Sequence, residues 1–319
     1  MDLSIIIVNW NTRDLLVQCL LSLSLPPSLS PSLSRSLPLP LSPSPSLPPS
    51  LEVFVVDNAS TDGSPAMVRA QFPWVTPIEN TENVGFARAN NQALQQATGR
   101  YVVLLNSDTV VRPGALQTLV DFMDAHPEAG ACGPRLLNGD GSLQPSCHPI
   151  LTPGREFWRL LFLDKLWPRA TYPQRRWDGQ TPRPVEVIKG ACLMLRREAL
   201  DQVGLLDEQY FMYTEEMDLC ARLLQTGWCN YWVPQAEVVH YGEASTRQSA
   251  EVMFVALYRS KAQFQRKFGG ERQVRRFKHL LWLAYLPRAA LMTAAGPLSP
   301  ALAPRARAYR RLLRALNDF

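Results

Sequence analysis

The sequence lacks the signals of several common protein classes. Its six cysteines show no CxxC spacing, which argues against a zinc site or a disulfide framework and favours a reducing compartment. It contains neither a Walker sequence nor a GxGxxG fingerprint, so P-loop and dinucleotide-binding interpretations have no motif. The opening MDLSIIIVNWN has no basic leader or cleavage site, and its apolar run is too short for a signal peptide. No Ser/His/Asp or Cys/His arrangement stands out, so no covalent enzyme intermediate is indicated.

The composition predicts a globular protein with a charged appendage. The chain has 319 residues, 46% of them hydrophobic, which suits one large α/β domain with an extension or two modest domains. Its net charge of +5 is unevenly distributed. Residues 259–319 carry a net charge of +12, and the rest of the chain carries −7. A basic tail on an acidic body indicates contact with an anionic surface.

Residues 22–50 interrupt the globular pattern. They comprise 11 Ser, 9 Pro, 8 Leu and Arg35. Proline at this density removes backbone donors and prevents both a helix and a central strand. We therefore predict a disordered insert that is dispensable for folding and activity, although a docking segment is the alternative.

Around the insert, apolar runs alternate with helical patterns. Residues 3–8, 53–56 and 101–105 are typical of strands buried on both faces, whereas residues 86–97 and 113–125 are typical of helices. This βαβ alternation predicts an α/β fold with a doubly wound, mostly parallel sheet.

The pattern changes after Val185. We predict a strand to Leu195, a short helix at residues 198–203, a helix at residues 215–225, and two strands near Tyr231 and Val238. Residues 154–184 are rich in Trp and Arg but match no motif.

The chain ends in a basic tail with an apolar centre. Its apolar stretch, residues 280–303, contains Pro287 and Arg288 and is too broken for a spanning helix, which needs about 20 apolar residues. We predict an interfacial, helical segment flanked by Arg and Lys, as opposed to one packed on the catalytic domain. The predicted division is a catalytic domain at residues 1–268 and a membrane-associating extension at residues 269–319.

Three predicted strands end in polar clusters, where ligands bind in open α/β sheets. These clusters begin at Asn9, at Asp57 and at Asn106-Ser107-Asp108. Asn and Asp also start turns, which is the simpler explanation for any one strand. Three coincident ends favour a site, in which Asp108 is the best ligand for Mg²⁺ or Mn²⁺.

The segment Thr214-Glu215-Glu216-Met217-Asp218 opens a predicted helix. Capping by Thr214 and dipole stabilisation by the acidic residues would explain it without a function. Asp218 and Arg222 have the spacing of an ordinary surface pair. His240, alone in a strand-like run, is by itself more typical of a structural histidine.

Taken together, the motifs resemble the rhamnosyltransferase-like branch of family 2 glycosyltransferases, which have the GT-A fold. The resemblance covers the chain to about Phe268 and is carried by the following strings: SIIIVNWNTRDLL, VFVVDNASTDGS, ENTENVGFARANNQAL, GRYVVLLNSDTVVRPGAL, KGACLMLRREAL, VGLLDEQYFMYTEEMDLCARLLQTGW and VVHYGEAST.

The resemblance implies roles for individual residues on a Rossmann-like central sheet with flanking helices. Asp57 contacts the nucleotide base, and Arg88 reaches the diphosphate. Asp108 corresponds to the charged end of the family's Asp-x-Asp triplet. Glu216 stands where the family usually has an aspartate as general base. The remaining implied residues are Asn9, Asn83 and Gly85 in the nucleotide-sugar pocket, Asn106 and Ser107 in the triplet, and His240 beside Asp108 in the metal site.

The implied activity is inverting, metal-dependent sugar transfer, with rhamnose as one candidate sugar. The donor is a nucleoside-diphosphate sugar, and the acceptor is a saccharide or lipid-linked saccharide in cell-surface polysaccharide assembly. We expect a cytoplasmic protein on the inner face of the plasma membrane. One alternative is a non-catalytic nucleotide-sugar-binding protein with a degraded base position. A nucleic-acid-binding tail is disfavoured, because nucleic acid explains the charge of the tail but not its apolar stretch.

Overall fold

The apolar runs near residues 3–8, 53–56 and 101–105 form three adjacent parallel strands. They are β1 (Leu3–Asn9), β2 (Leu51–Asp57) and β4 (Tyr101–Asn106), and β1 lies between the other two in register, with Ile6 opposite Phe54 and Leu104. Their side chains are buried on both faces of the sheet, as the unbroken Ile/Val/Leu runs predict.

The computed structural model describes residues 1–24, 50–166, 170–242, 250–295 and 302–319. The other strands are β3 (Val75–Glu79), β5 (Thr109–Val111), β6 (Ala129–Leu137), β7 (Leu143–Gln144), β8 (Cys147–His148), β9 (Arg183–Pro184), β10 (Val187–Ile188), β11 (Cys192–Arg196) and β12 (Cys229–His240). The main sheet has the order β3-β2-β1-β4-β11-β6-β12-β5, with β7 and β9 attached to it.

Helices cover both faces of this sheet. The helices of the described residues are α1 (Arg13–Ser22), α2 (Ser64–Gln71), α3 (Phe86–Leu94), α4 (Ala115–Ala125), α5 (Pro153–Leu160), α6 (Arg197–Val203), α7 (Glu215–Gln225), α8 (Ala250–Ala295) and α9 (Ala303–Ala315). One apolar layer joins the sheet to α1, α2 and α4, and the other joins it to α3, α6 and α7. The predicted doubly wound, mostly parallel α/β fold is thereby confirmed.

The strand order reverses between β1 and β4. The chain proceeds outward from β1 to β2 and β3, and then returns to place β4 on the other side of β1. In open α/β sheets, such a switch point leaves a crevice beyond the carboxyl ends of the two strands, where ligands bind. The polar clusters at Asn9 and Asn106 lie at this crevice.

Three element boundaries differ from the sequence-based expectation. The strand predicted for residues 185–195 is divided into β10 and β11 by Lys189-Gly190-Ala191. The two strands predicted near Tyr231 and Val238 are one continuous strand, β12. At the predicted insert, α1 extends to Ser22 and Leu23 is buried; residues 25–49 lie outside the described part of the chain.

The C-terminal helices pack on each other and on α5. Helix α8 is interrupted at Gly270, where φ is +67°, two residues beyond the predicted domain boundary. Its second half buries Phe277, Leu281 and Tyr285 against Leu312 of α9 and Leu160 of α5. Within the described residues, no helix is both long enough and apolar enough to cross a membrane.

Candidate active site

The crevice between β1 and β4 is closed by hydroxyl contacts. Thr12, which follows β1, donates to Asn9 Oδ1 at 2.7 Å, and its Oγ1 lies 2.8 Å from Ser107 Oγ beyond β4. All three residues are buried. The two predicted clusters at Asn9 and Asn106 therefore form one connected polar floor.

Asp57 is held rigidly at the end of β2. Its Oδ1 accepts from Asn9 Nδ2 at 2.8 Å, and its Oδ2 accepts from the backbone N–H of Ser60 at 2.8 Å. Ser60 also accepts from Asn9 Nδ2 at 3.1 Å. The intervening Ala59 adopts φ +60°, a conformation that non-glycine residues rarely adopt outside functional turns.

The segment from Asn83 to Gly85 forms the wall beside Asp57. Asn83 Oδ1 accepts from the backbone N–H of Gly85 at 3.0 Å, and Asn58 Nδ2 donates to the Gly85 carbonyl at 3.3 Å. Gly85 has φ +87°, and a methyl group there would lie 2.6 Å from the Phe211 carbonyl oxygen. Only glycine fits at this position, where the wall touches the segment that leads into α7.

Arg88 stands apart from these groups. It lies one turn into α3, and its Nε donates to Glu208 Oε2 at 3.1 Å on the surface. The guanidinium is more than half exposed. Of the predicted donor-binding residues, Arg88 is the one that the structure does not bring into the hydrogen-bonded cluster.

His240 lies beside Asp108 because β5 and β12 pair in antiparallel register, with His240 opposite Thr109. Its Nε2 lies 3.3 Å from Asp108 Oδ1 and 3.3 Å from Asn106 Nδ2. On the other side of the ring, Nδ1 lies 2.7 Å from Gln144 Oε1. The Nε2 of Gln144 donates to the His240 carbonyl at 3.0 Å and to Asn138 Oδ1 at 2.9 Å.

These contacts indicate which nitrogen of the His240 ring is a donor. Gln144 donates its amide N–H groups to two carbonyl oxygens, so its Oε1 accepts from His240 Nδ1–H. In the neutral imidazole, Nε2 then carries the lone pair, and it lies beside Asp108 Oδ1. This carboxylate and oriented imidazole suit a divalent cation. Because no group of three His, Cys, Asp or Glu ligands occurs in the described residues, the other positions would fall to diphosphate and water.

Strained backbone introduces α7. Tyr213 has φ +67° and Thr214 has φ +74°, and the Thr214 side chain makes no capping hydrogen bond. The capping explanation for this segment therefore does not apply to Thr214. Consecutive non-glycine residues in this region are costly and cluster at functional sites. They place Glu215 and Glu216 at the start of the helix, each with a buried Oε2 that has no partner among the described residues.

Glu216 faces the break between β10 and β11. A methyl group at Gly190 would lie 3.7 Å from Glu216 Cβ and 4.0 Å from Phe86 Cε1. The next residue, Ala191, accepts at 3.0 Å from the backbone N–H of Asn106. A chain of contacts therefore connects Glu216, through Gly190 and Ala191, to Asn106, which in turn contacts His240.

The environment distinguishes the two glutamates. Burial raises the pKa of Glu215 well above its ordinary value, and the charge of Glu216 raises this pKa further. Burial also raises the pKa of Glu216, but the nearby Lys189 ammonium opposes that rise. Two adjacent buried carboxyls do not ionise together readily. Of the two carboxyls, Glu216 is the one whose ionised form the Lys189 ammonium favours.

Asp218 has a structural role. Its side chain is fully buried, with Oδ2 2.8 Å from Arg222 Nε and Oδ1 2.7 Å from Lys267 Nζ. Arg222 also donates to the carbonyls of Val203 and Leu205. The expectation of an ordinary surface pair is wrong, because this ion pair ties α7 to the loop after α6 in the interior.

Sequence reasoning missed three supporting residues of the site: Thr12, Gln144 and Lys189. Thr12 and Lys189 lie in strings that carry the family resemblance, and either could have been selected as a polar residue beside a strand end. Gln144 is 96 residues from His240 in sequence and lies in a two-residue strand, so no local pattern identifies it.

Comparison with known proteins bears on this arrangement. The family model described as "Glycosyl transferase family 2" matches residues 4–204, and one described as "Glycosyl transferase family group 2" matches residues 156–308. The chain belongs to glycosyl transferase family 2. It is 34% identical over 225 residues to the N-acetylglucosaminyl-diphospho-decaprenol L-rhamnosyltransferase of Mycobacterium tuberculosis, covering 66% of this chain and 73% of that protein. These findings confirm the rhamnosyltransferase-like assignment within family 2.

More distant relatives agree with this family. The O-antigen biosynthesis protein RfbC of Myxococcus xanthus is 30% identical over 210 residues, which are 63% of this chain and 16% of that protein. The mannosyltransferase PcManGT of Pyrobaculum calidifontis, solved with GDP-Man and Mn²⁺, matches with a TM-score of 0.55 at 20% identity, over 99% of this chain and 87% of that one. The structure of residues 1–349 of S. aureus TarS matches with a TM-score of 0.52 at 15% identity, over 100% of this chain and 92% of that one. These structures confirm the GT-A fold of this family 2 glycosyltransferase.

Proposed function

We propose that this glycosyltransferase moves a sugar, with rhamnose as the first candidate, from a nucleoside-diphosphate donor to a hydroxyl of a lipid-linked saccharide. The single observation that carries the proposal is the chain of contacts from Glu216, through Gly190-Ala191 and Asn106, to the Asp108–His240 pair. It connects a candidate base to a candidate cation site at the switch point of the sheet. The M. tuberculosis relative, named for an N-acetylglucosaminyl-diphospho-decaprenol acceptor, supports the choice of sugar and acceptor.

In the proposed reaction, Asp57 and the Asn83–Gly85 wall bind the nucleoside, and Asp108 and His240 hold a divalent cation. The cation, when bound, offsets the negative charge that develops on the departing diphosphate. Glu216 accepts the proton of the acceptor hydroxyl as the hydroxyl oxygen attacks the anomeric carbon and the diphosphate oxygen leaves. A single in-line displacement of this kind inverts the anomeric configuration.

We further propose that Lys189 keeps Glu216 ionised under working conditions. Its side chain is half-buried, and burial lowers the pKa of Lys189 while the Glu216 charge raises it again. In return, the ammonium lowers the pKa of Glu216. Lys189 thus acts through Glu216 and is a positioning residue.

Replacement of Lys189 by methionine is expected to shift the pH dependence of transfer. Without the ammonium, the pKa of Glu216 rises, so activity is lost at a higher pH as the pH falls. A pH profile of kcat should show a severalfold loss at acidic pH and near-parent rates at alkaline pH. Lys189→Arg, which keeps the charge, should restore the parent profile. An equal loss at every pH would contradict this role and indicate a packing defect.

We also propose that the enzyme works at the inner face of the plasma membrane, where a lipid-linked acceptor is accessible. The net charge of +12 on residues 259–319 supports this location, since each Lys or Arg near an anionic leaflet contributes about 1 kcal/mol to the free energy of membrane binding.

The non-catalytic alternative, a nucleotide-sugar-binding protein, predicts donor binding without turnover. Thermal-shift screening of nucleotide sugars with and without Mn²⁺, followed by transfer assays, distinguishes the two.

A further inference from the structure

The second half of α8 is apolar on two opposite faces. One face, with Leu281, Tyr285 and Ala289, is buried against α9. The opposite face is exposed and equally apolar, and it comprises Trp282, Leu283, Leu286, Ala290 and Leu291. Leu283 is 73% exposed and Leu291 is 70% exposed. An outward helix face is normally polar, and a contiguous apolar one marks a binding surface.

A second exposed apolar group follows α5. Leu161, Phe162 and Leu166 are all exposed, and Phe162 is 62% exposed. Phe162 adopts φ +59°, a conformation in which a bulky residue is a true outlier. Strain of this kind persists where the surrounding structure enforces it, which is common at functional segments.

Arg288 joins the two groups. It lies in α8, where it donates a hydrogen bond to the Leu160 carbonyl at the end of α5. Its guanidinium carbon lies 5.3 Å from the centroid of the Phe162 ring. The same helix packs Tyr285 in one apolar cluster with Leu160. The turn after α5 is therefore fixed against the second half of α8, on the side of the helix that carries Tyr285 and Arg288, although about 120 residues separate the two segments in sequence.

Exposed cations precede this surface on the same helix. Arg272, Arg275 and Arg276 are exposed on the turns of α8 that lead to Trp282. An apolar surface bordered by Arg matches the interface of an anionic bilayer, in which acyl chains lie beneath negative headgroups.

We propose that Leu161, Phe162, Leu166, Trp282, Leu283, Leu286 and Leu291 form one apolar platform that inserts into the interface of an anionic phospholipid bilayer. The inference deepens the proposed function, on which it rests for a membrane-bound acceptor. It adds that the turn after α5, as well as the basic tail, contacts lipid. Two separate contacts of this kind fix the orientation of the enzyme on the membrane, whereas a single tail would act only as a tether.

The test is co-sedimentation of the full chain with vesicles of phosphatidylcholine, with and without phosphatidylglycerol, at low and high salt. The platform variants are Leu283→Ser combined with Leu286→Ser in α8, and Phe162→Ser or Leu166→Ser after α5. The matched control is Trp74→Ser. It removes an exposed apolar side chain that directly precedes β3, an edge strand of the main sheet, and is not part of the platform. Melting temperatures establish that each variant is folded.

The parent protein and Trp74→Ser should bind the phosphatidylglycerol vesicles equally. Each α8 leucine removed should lower the partition constant roughly tenfold, and each change after α5 by a similar factor. Equal binding by the platform variants and the control would overturn the proposal, as would loss confined to the α8 variant. Failure of the parent to bind anionic vesicles would also overturn it. Mn²⁺-dependent nucleoside-diphosphate binding, which the variants should retain, tests the proposed function separately.

Discussion

Replacement of Glu216 by glutamine is expected to lower the rate of sugar transfer by a factor of about 10² to 10⁴, the usual contribution of a general base. Glutamine preserves the shape of the side chain but cannot accept a proton. Donor affinity should remain near the parent value, because the proposed nucleoside-binding residues Asp57 and Gly85 are unchanged. The measurement is single-turnover transfer, accompanied by a binding titration with the nucleoside diphosphate.

Glu215→Gln is the matched control. Burial and the Glu216 charge raise the pKa of Glu215, which favours its protonated form, and an amide mimics a protonated acid closely. Transfer by this variant should stay within severalfold of the parent rate. If Glu215→Gln loses activity and Glu216→Gln retains it, the roles are reversed and the assignment of the base is wrong.

Replacement of Asp108 by alanine is expected to abolish the Mn²⁺ dependence of nucleoside-diphosphate binding. Asp108 supplies the only carboxylate beside His240 Nε2 among the described residues, and without it the imidazole alone would have to hold the cation. Isothermal titration of the nucleoside diphosphate, with Mn²⁺ or with chelator, measures this effect. In the parent, affinity should fall sharply with chelator; in Asp108→Ala it should be weak in both conditions.

A substitution at Gln144, which contacts the side of the His240 ring away from Asp108, tests the same cation site. Gln144→Leu removes the acceptor that orients His240 without removing a proposed ligand, and loss of such support typically weakens metal binding 10–100-fold. The Mn²⁺ concentration for half-maximal binding should rise by this factor, with full affinity recovered at high Mn²⁺. Parent affinity that is identical with Mn²⁺ and with chelator would refute the metal site.

The sequence predicted the half of the sheet that is built from uninterrupted apolar runs. The central residues of β1, β2 and β4 (5–8, 53–56 and 101–105) are apolar, because these strands lie in the middle of the sheet with helices on both faces. Strand β6 was not predicted, because the glycines and proline in its sequence, AGACGPRLL, are typical of a turn. Its Gly133 is required for close packing, since a methyl group there would lie 2.3 Å from Ile188 Cγ2. A glycine in the sequence is compatible with a turn and also with close packing inside a strand, and only the tertiary structure distinguishes these two cases.

The site was predictable where its residues end strands and less so where they support one another. Asn9, Asp57 and Asp108 follow buried strands and stand out as polar interruptions. Gln144 can orient His240 only because β7, which pairs with β6, lies close to the end of β12. Sequence does not show this contact between distant segments. The burial of Asp218 was also hidden, because an i, i+4 ion pair has the same spacing on the surface as in the core. The assigned roles of these residues remain predictions until variants are measured.

The proposed activity predicts transfer of labelled sugar from a panel of nucleoside-diphosphate sugars to an N-acetylglucosaminyl-diphospho-polyprenol acceptor, and this transfer can be measured directly. The purified parent protein is compared with Glu216→Gln, each with Mn²⁺ and with chelator. We expect label on the lipid only with the parent and Mn²⁺, and with one donor strongly preferred. Binding of a nucleotide sugar by a folded parent protein, with no transfer or hydrolysis of any donor, would contradict the account and identify a binding protein.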